Sequence, residues 1–221
     1  MPNLMSPLQF VQNHLRESAA TKQRLASSGV LSLIVHASER LAGCVTGGGK
    51  IMLCGNGGSA ADSQHLAAEF TNRLRPGMQR PGIPAIALTT DSSYLTARAN
   101  DYGFDDVFER LVSCLGQQSD ALIGISTSGN SLNVIRAVSC AKEKGILTVG
   151  LLGGAGGKLA GLVDIPIVVP SDSTQHIQET HVVLGHILCE LVEELLFGDL
   201  HSMKNPRAAQ AQSNITGERG P

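Results

Sequence analysis

Lys50-Ile51-Met52-Leu53-Cys54-Gly55-Asn56-Gly57-Gly58-Ser59 is the stretch that decides the fold class. Its first half is a short apolar run of strand length, and its second half is a Gly-rich turn. The segment that follows, Ala60 to Leu74, reads as a helix. A buried strand turning sharply into a helix is the start of a strand-helix unit, and such units build parallel sheets. Glycines at 55, 57 and 58 let the backbone turn tightly and approach a ligand closely. The helix beyond presents unpaired N–H groups and a positive dipole end, where an anion can sit. His65 and Glu69, four residues apart, share one face of that helix. An imidazole and a carboxylate thus lie one to two turns from an anion cradle, which points to chemistry on a phosphorylated small molecule. The same two residues would serve equally as an exposed surface pair, with Leu66, Ala67 and Phe70 on the core face.

Outward from this stretch the pattern repeats. Apolar runs recur at Ala85–Leu88, Ala121–Ile125, Leu147–Leu152 and Ile165–Val169, with helical stretches at Phe104–Leu115 and Leu132–Lys144. A long helix is expected over Gln175–Leu196, and two amphipathic helices, Leu8–Leu25 and Leu31–Val45, precede the first strand. Nearly all-apolar strands alternating with helices predict an α/β fold, a doubly wound five-stranded parallel sheet covered on both faces. One domain is expected over 1–198, with 199–221 a polar, mobile tail.

Bulk composition narrows the function. The 221 residues are 42% hydrophobic and 16% charged, which fits a packed globular chain. Seventeen basic against nineteen acidic residues leave a formal charge of −2, and aromatics are 3% with no Trp. No basic surplus and no base-stacking platform point to nucleic acid. Cys44, Cys54, Cys114, Cys140 and Cys189 form no C-x-x-C pair and read as buried thiols in a reducing compartment. No signal peptide is evident, and His186, Glu190, Glu193 and Glu194 interrupt the apolar stretch Val182–Phe197, so it does not span a bilayer. A cytoplasmic protein is expected.

In an open α/β sheet, ligands bind beyond the carboxyl ends of the strands. After the third strand comes Ser126-Thr127-Ser128-Gly129-Asn130-Ser131, again opening a helix. Its hydroxyls can surround a phosphate; they can also simply cap the helix. Two such turns on one sheet favour the phosphate reading. The spacing is neither a Walker A loop nor G-x-G-x-x-G. After the second strand, Asn100 and Asp101 suit either polyol hydroxyls or a turn before the next helix, and the turn is the simpler reading. The last helix carries Gln178, Glu179, His181, His186 and Glu190. Gln178 and His186 are two turns apart, about 12 Å of rise, so spacing alone does not bring them to one ion.

Taken together, G-N-G-G-S at 55–59, H-L-A-A-E at 65–69, N-D-Y-G at 100–103, S-T-S-G-N-S at 126–131 and Q-E-x-H-x-x-x-x-H at 178–186 resemble the phosphoheptose isomerases. These are sugar isomerase (SIS) domain proteins acting on sedoheptulose 7-phosphate. The resemblance runs from about Leu8 to Phe197. It implies a homotetramer with active sites between subunits, a zinc ion on His65, Glu69, Gln178 and His186, and sugar-phosphate contacts from Asn56, Gly57, Gly58, Ser59, Glu69, Asn100, Asp101, Ser126, Thr127, Ser128, Ser131 and Gln178. It further implies an aldose-ketose isomerisation through a cis-enediol, with Glu69 as base and His186 as acid. Where the family often has Arg before Ile-Gln, this chain has His176, which affects phosphate affinity or its pH dependence. A non-catalytic SIS paralogue that binds the replication initiator is the nearest alternative, and retention of Glu69 and His186 speaks against it. A sugar-phosphate-sensing SIS module and an isomerase for a shorter sugar phosphate are further alternatives.

Overall fold

The computed structural model describes residues 6–198; the tail expected over 199–221 lies outside them. Two helices lead, α1 (Pro7–Ala26) and α2 (Val30–Thr46), followed by β1 (Ile51–Gly55), α3 (Gly58–Thr71), β2 (Ala85–Ala87) and α4 (Ser92–Tyr102). A 3-10 turn at Phe104–Asp106 enters α5 (Val107–Leu115). Then come β3 (Ala121–Ser126), α6 (Leu132–Glu143), β4 (Leu147–Gly153), α7 (Gly157–Ala160), β5 (Ile165–Val169) and α8 (Thr174–Phe197).

The five strands form one sheet in the order β2-β1-β3-β4-β5, and every neighbouring pair is parallel. All residues of β1, β3 and β4 are buried, as continuous apolar strands covered on both faces must be. Alternation along β1 divides the core. Ile51 and Leu53 join Leu25, Ile34, Leu66 and Leu184 from α1, α2, α3 and α8. Met52 and Cys54 join Val107, Phe108 and Val134 from α5 and α6 on the opposite face.

The strand order reverses between β1 and β3, since the chain goes from β1 outward to β2 on one side and later to β3 on the other. That switch point opens a crevice at the carboxyl ends of the two strands. The two Gly- and Ser-rich turns sit on those strand ends.

Three readings from sequence are corrected. Asn100 and Asp101 lie within the last turn of α4, not in a turn between elements. This helix has no buried residue and hence no apolar stripe to betray it; its start is fixed by Asp91, whose carboxylate accepts the Tyr94 N–H at 2.9 Å. Residues 104–106 open the next helical stretch as a 3-10 turn. The helix after β1 ends at Thr71 and not Leu74, because a side chain from the following loop takes over its last carbonyls.

Candidate active site

The crevice is tied across its floor by an amide pair. Asn56, after β1, donates through Nδ2 to Asn133 Oδ1 at 2.8 Å, and Asn133 Nδ2 donates back to Asn56 Oδ1 at 2.8 Å. Asn133, buried at the start of α6, was not among the residues singled out from sequence; it links the two turns the sequence marked. Gly57 holds φ 54°, the left-handed conformation the turn requires. Ser59 is buried at the start of α3.

Across the crevice, Ser131 occupies the cap position of α6, yet its side chain makes no capping hydrogen bond. It lies 2.9 Å from Ser126 Oγ instead. The hydroxyls therefore face each other across the turn, which departs from the simple capping reading. Asn130 closes the turn, donating to Ser128 O at 2.9 Å and accepting from Lys158 N at 3.1 Å. Gly129 has φ 65°, and a Cβ there would lie 1.9 Å from Gly156 O, so only glycine fits. Thr127 and Ser128 line an adjoining cavity of about 320 Å³ with Gly154, Ser171, Asp172 and Thr174. A cavity of about 550 Å³ at the opposite end of the sheet is further from this chemistry, and Asp120 and Lys142, which line it, are already paired with Lys50 and Asp164.

The ionisable part of the site is built where α3 runs beside α8. Seven residues along α3 separate Gly58 from His65, and eight along α8 separate Gln178 from His186. The two helices match in register at both levels. At their starts, a Cβ on Gly58 would lie 2.5 Å from Gln178 Nε2, so glycine makes room for the amide. Two turns on, His65 Nε2 and His186 Nε2 approach to 2.8 Å, with the rings edge to face at 5.0 Å. One nitrogen of that pair carries the proton and the other accepts it. Glu69 Oε1 stands 3.6 Å from His65 Nδ1, on the other side of the ring. The His65 side chain is 43% exposed and that of Glu69 19%, so both remain open on a single chain. Asp62, one turn earlier on α3, has a buried Oδ2 with no hydrogen-bond partner, and burial pushes its carboxyl pKa up against the pull of His65.

Thus His65, Glu69 and His186 come together, while Gln178 stands two turns, about 12 Å of rise, back along α8. Two imidazole nitrogens facing one point and a nearby carboxylate are zinc-type donors. Among the described residues, however, no group of three or more His, Cys, Asp or Glu side chains is arranged to hold a metal. The donor chemistry fits zinc; the full expected set of four does not converge within one chain. Asn100 and Asp101 are exposed and hydrogen-bond each other, Asn100 Nδ2 donating to Asp101 Oδ1 at 2.9 Å. His176 is buried, its ring 4.6 Å from that of His14 on α1, and its Nε2 has no partner. No helix among the described residues is long and apolar enough to cross a membrane.

The SIS domain model matches residues 14–153. The phosphoheptose isomerase of Solidesulfovibrio magneticus is 50% identical over 190 residues, spanning 86% of this chain and 91% of that protein. Among solved structures, phosphoheptose isomerase GmhA from Neisseria gonorrhoeae aligns with a TM-score of 0.79 at 44% identity, covering 86% of this chain and all of that one. A phosphoheptose isomerase from Francisella tularensis aligns with a TM-score of 0.82 at 36% identity, with the same coverage. A sheet of this order, a serine turn at its switch point and these relatives over nearly the whole chain place the protein in the SIS-domain family, among the phosphoheptose isomerases.

Proposed function

We propose that the chain interconverts sedoheptulose 7-phosphate and D-glycero-D-manno-heptose 7-phosphate, the opening step of nucleotide-activated heptose synthesis. The observation that carries this reading is the convergence of Glu69, His65 and His186 beside a crevice with a serine-lined turn. The replication-initiator-binding alternative has no support among the relatives, which carry the isomerase name.

The chemistry follows from the geometry. The phosphate sits in the turn of Ser126, Thr127, Ser128 and Ser131, held by hydroxyls and backbone N–H groups at the start of α6. Asn56, Gly57 and Gly58 bound the sugar on the β1 side, with the Asn56 amide fixed by Asn133. Isomerisation moves a proton between C1 and C2 and another between their oxygens. Glu69 takes the carbon proton and returns it to the adjacent carbon, and His186 gives and receives the oxygen proton. The Glu69 carboxylate faces His65 Nδ1, away from the paired Nε2 atoms, which leaves it free to act as base. Zinc held by His65 and His186 would supply Lewis-acid polarisation of the carbonyl; Gln178 of the same chain, two turns back along α8, is out of reach of that point, and Glu69 is kept as the base.

Assembly as a homotetramer belongs to the same reading. α1 exposes Leu8, Phe10, Val11 and Leu15, each more than half accessible, and α8 exposes Val183 and Ile187 on either side of His186. Exposed apolar side chains beside a site open to solvent are what a second copy would cover, and Asn100 and Asp101 would then contribute from a neighbouring subunit. The cytoplasm is the compartment that suits five free thiols. Turnover of sedoheptulose 7-phosphate, measured with zinc and after chelation, tests the reading. Activity lost on chelation and restored by zinc supports substrate and metal together; no turnover in either state removes the assignment.

A further inference from the structure

Arg80 is a fully buried cation in the loop between α3 and β2, and its partner Glu193 on α8 is equally buried. The guanidinium makes four hydrogen bonds and a close ion pair. Nε donates to Glu193 Oε1 at 2.8 Å, and Nη2 reaches the same oxygen at 2.7 Å. Nη2 also donates to the backbone carbonyl of Glu69 at 2.9 Å, while Nη1 donates to Phe70 O at 2.8 Å and Pro81 O at 2.9 Å. Glu193 is completed by the Leu74 N–H and by Arg75. The carbonyls of Glu69 and Phe70 belong to the last turn of α3, where helical carbonyls lack intrahelical partners and a cation is favoured. Glu193 lies seven residues beyond His186, two turns along the same helix.

We propose that Arg80, through its buried pair with Glu193, is a positioning residue for the isomerisation, fixing the backbone of Glu69 against the helix that carries His186. The inference rests on the reading of Glu69 as the base. Stability alone is a poor reason for such a pair, because apolar side chains of similar volume commonly replace a buried ion pair without loss. What they do not replace is the planar fork that joins two α3 carbonyls to a carboxylate on another helix. Lysine, with one nitrogen, does not span those acceptors either. A base must sit within hydrogen-bond reach of the carbon proton, and misplacement by about 1 Å costs roughly a hundredfold in rate.

The test is the double variant Arg80→Met/Glu193→Leu, which leaves neither charge buried alone. It is assayed for kcat and KM beside wild type and Glu69→Gln, with folding checked by circular dichroism. Because the phosphate contacts lie on β3 and α6, the expected result is kcat lowered about 10- to 100-fold with KM changed less than about threefold. A folded double variant with kcat within about twofold of wild type overturns the proposal, as does a loss carried by KM alone. Should the double variant not fold, the isosteric Glu193→Gln is read the same way: kcat lowered with KM retained supports positioning, and unchanged kcat overturns it. Glu69→Gln separates the two levels. If it is inactive while the double variant is normal, only the positioning role fails; if it keeps turnover, the base assignment fails and takes this proposal with it.

Discussion

His65 Nε2 and His186 Nε2 meet at 2.8 Å although 121 residues separate them in the chain. The contact is possible because α3 follows β1 and α8 follows β5, and both helices pack on the same face of the sheet. Glu69, one turn along α3, completes a group in which one carboxylate and two imidazoles share a solvent-open face.

Glu69→Gln is expected to lower kcat by about two to four orders of magnitude, the range for a positioned general base. Circular dichroism and elution volume should remain those of wild type, because the side chain is partly exposed and no buried ion pair is broken. His186→Asn should also lower kcat, and the two losses should combine less than additively if both groups serve one proton-transfer sequence.

Ser131→Ala removes a hydroxyl that faces Ser126 without capping α6. The expectation is a KM raised about tenfold, near 1.4 kcal/mol for one hydrogen bond to a charged phosphate, with thermal stability unchanged within about 0.5 kcal/mol. A fall in melting temperature with unaltered KM would show that the hydroxyl serves the helix and not the ligand.

His181 gives a pH signature. Its ring is buried between α8 and β4, Nε2–H donates to Leu152 O at 3.0 Å, and Nδ1 has no partner. Burial lowers its pKa to about 4, against a small upward pull from the carbonyl. The folded state therefore resists a proton that the unfolded chain accepts. The neutral ring's contribution is complete above the unfolded value near 6.5 and is lost as pH falls toward about 4, a change on the order of 3 kcal/mol. Denaturant unfolding of wild type should show stability falling across this window, and His181→Gln should flatten the fall. The lowered carboxylates Asp120, Asp164 and Glu193 add acid lability that the variant retains.

Leu8, Val11 and Leu15 form an exposed apolar stripe on α1. Val11→Asp with Leu15→Asp should yield a folded chain of smaller assembly and much reduced activity, read by light scattering and turnover. An unchanged assembly with full activity would exclude α1 from the subunit contacts.

Much of this molecule is written locally. The apolar runs at Ile51–Cys54, Ala121–Ile125 and Leu147–Leu152 are strands because nothing polar interrupts them, and the parallel sheet follows from the helices between them. The helical spacing of Phe10, Val11 and Leu15 marks a helix correctly, yet periodicity does not say whether the apolar face meets the core or another molecule. α4 was not legible, since a helix with no buried residue has no stripe, although Asp91 three residues before Tyr94 is a cap signal. Of the site, the His65–Glu69 pair was readable from its spacing of four. Its approach to His186 was not, because it depends on how α3 and α8 pack. Asn133 and the Arg80–Glu193 pair went unnoticed for the same reason: their partners are 77 and 113 residues away.

The most direct measurement is single-substrate turnover of sedoheptulose 7-phosphate by wild type and Glu69→Gln, each loaded with zinc and each after chelation. Zinc-loaded wild type should form the heptose 7-phosphate aldose, and the other three samples should be slower by at least about a hundredfold. Equal turnover by Glu69→Gln, or none by the zinc-loaded wild type, would remove the Glu69 and His186 site as the seat of the reaction.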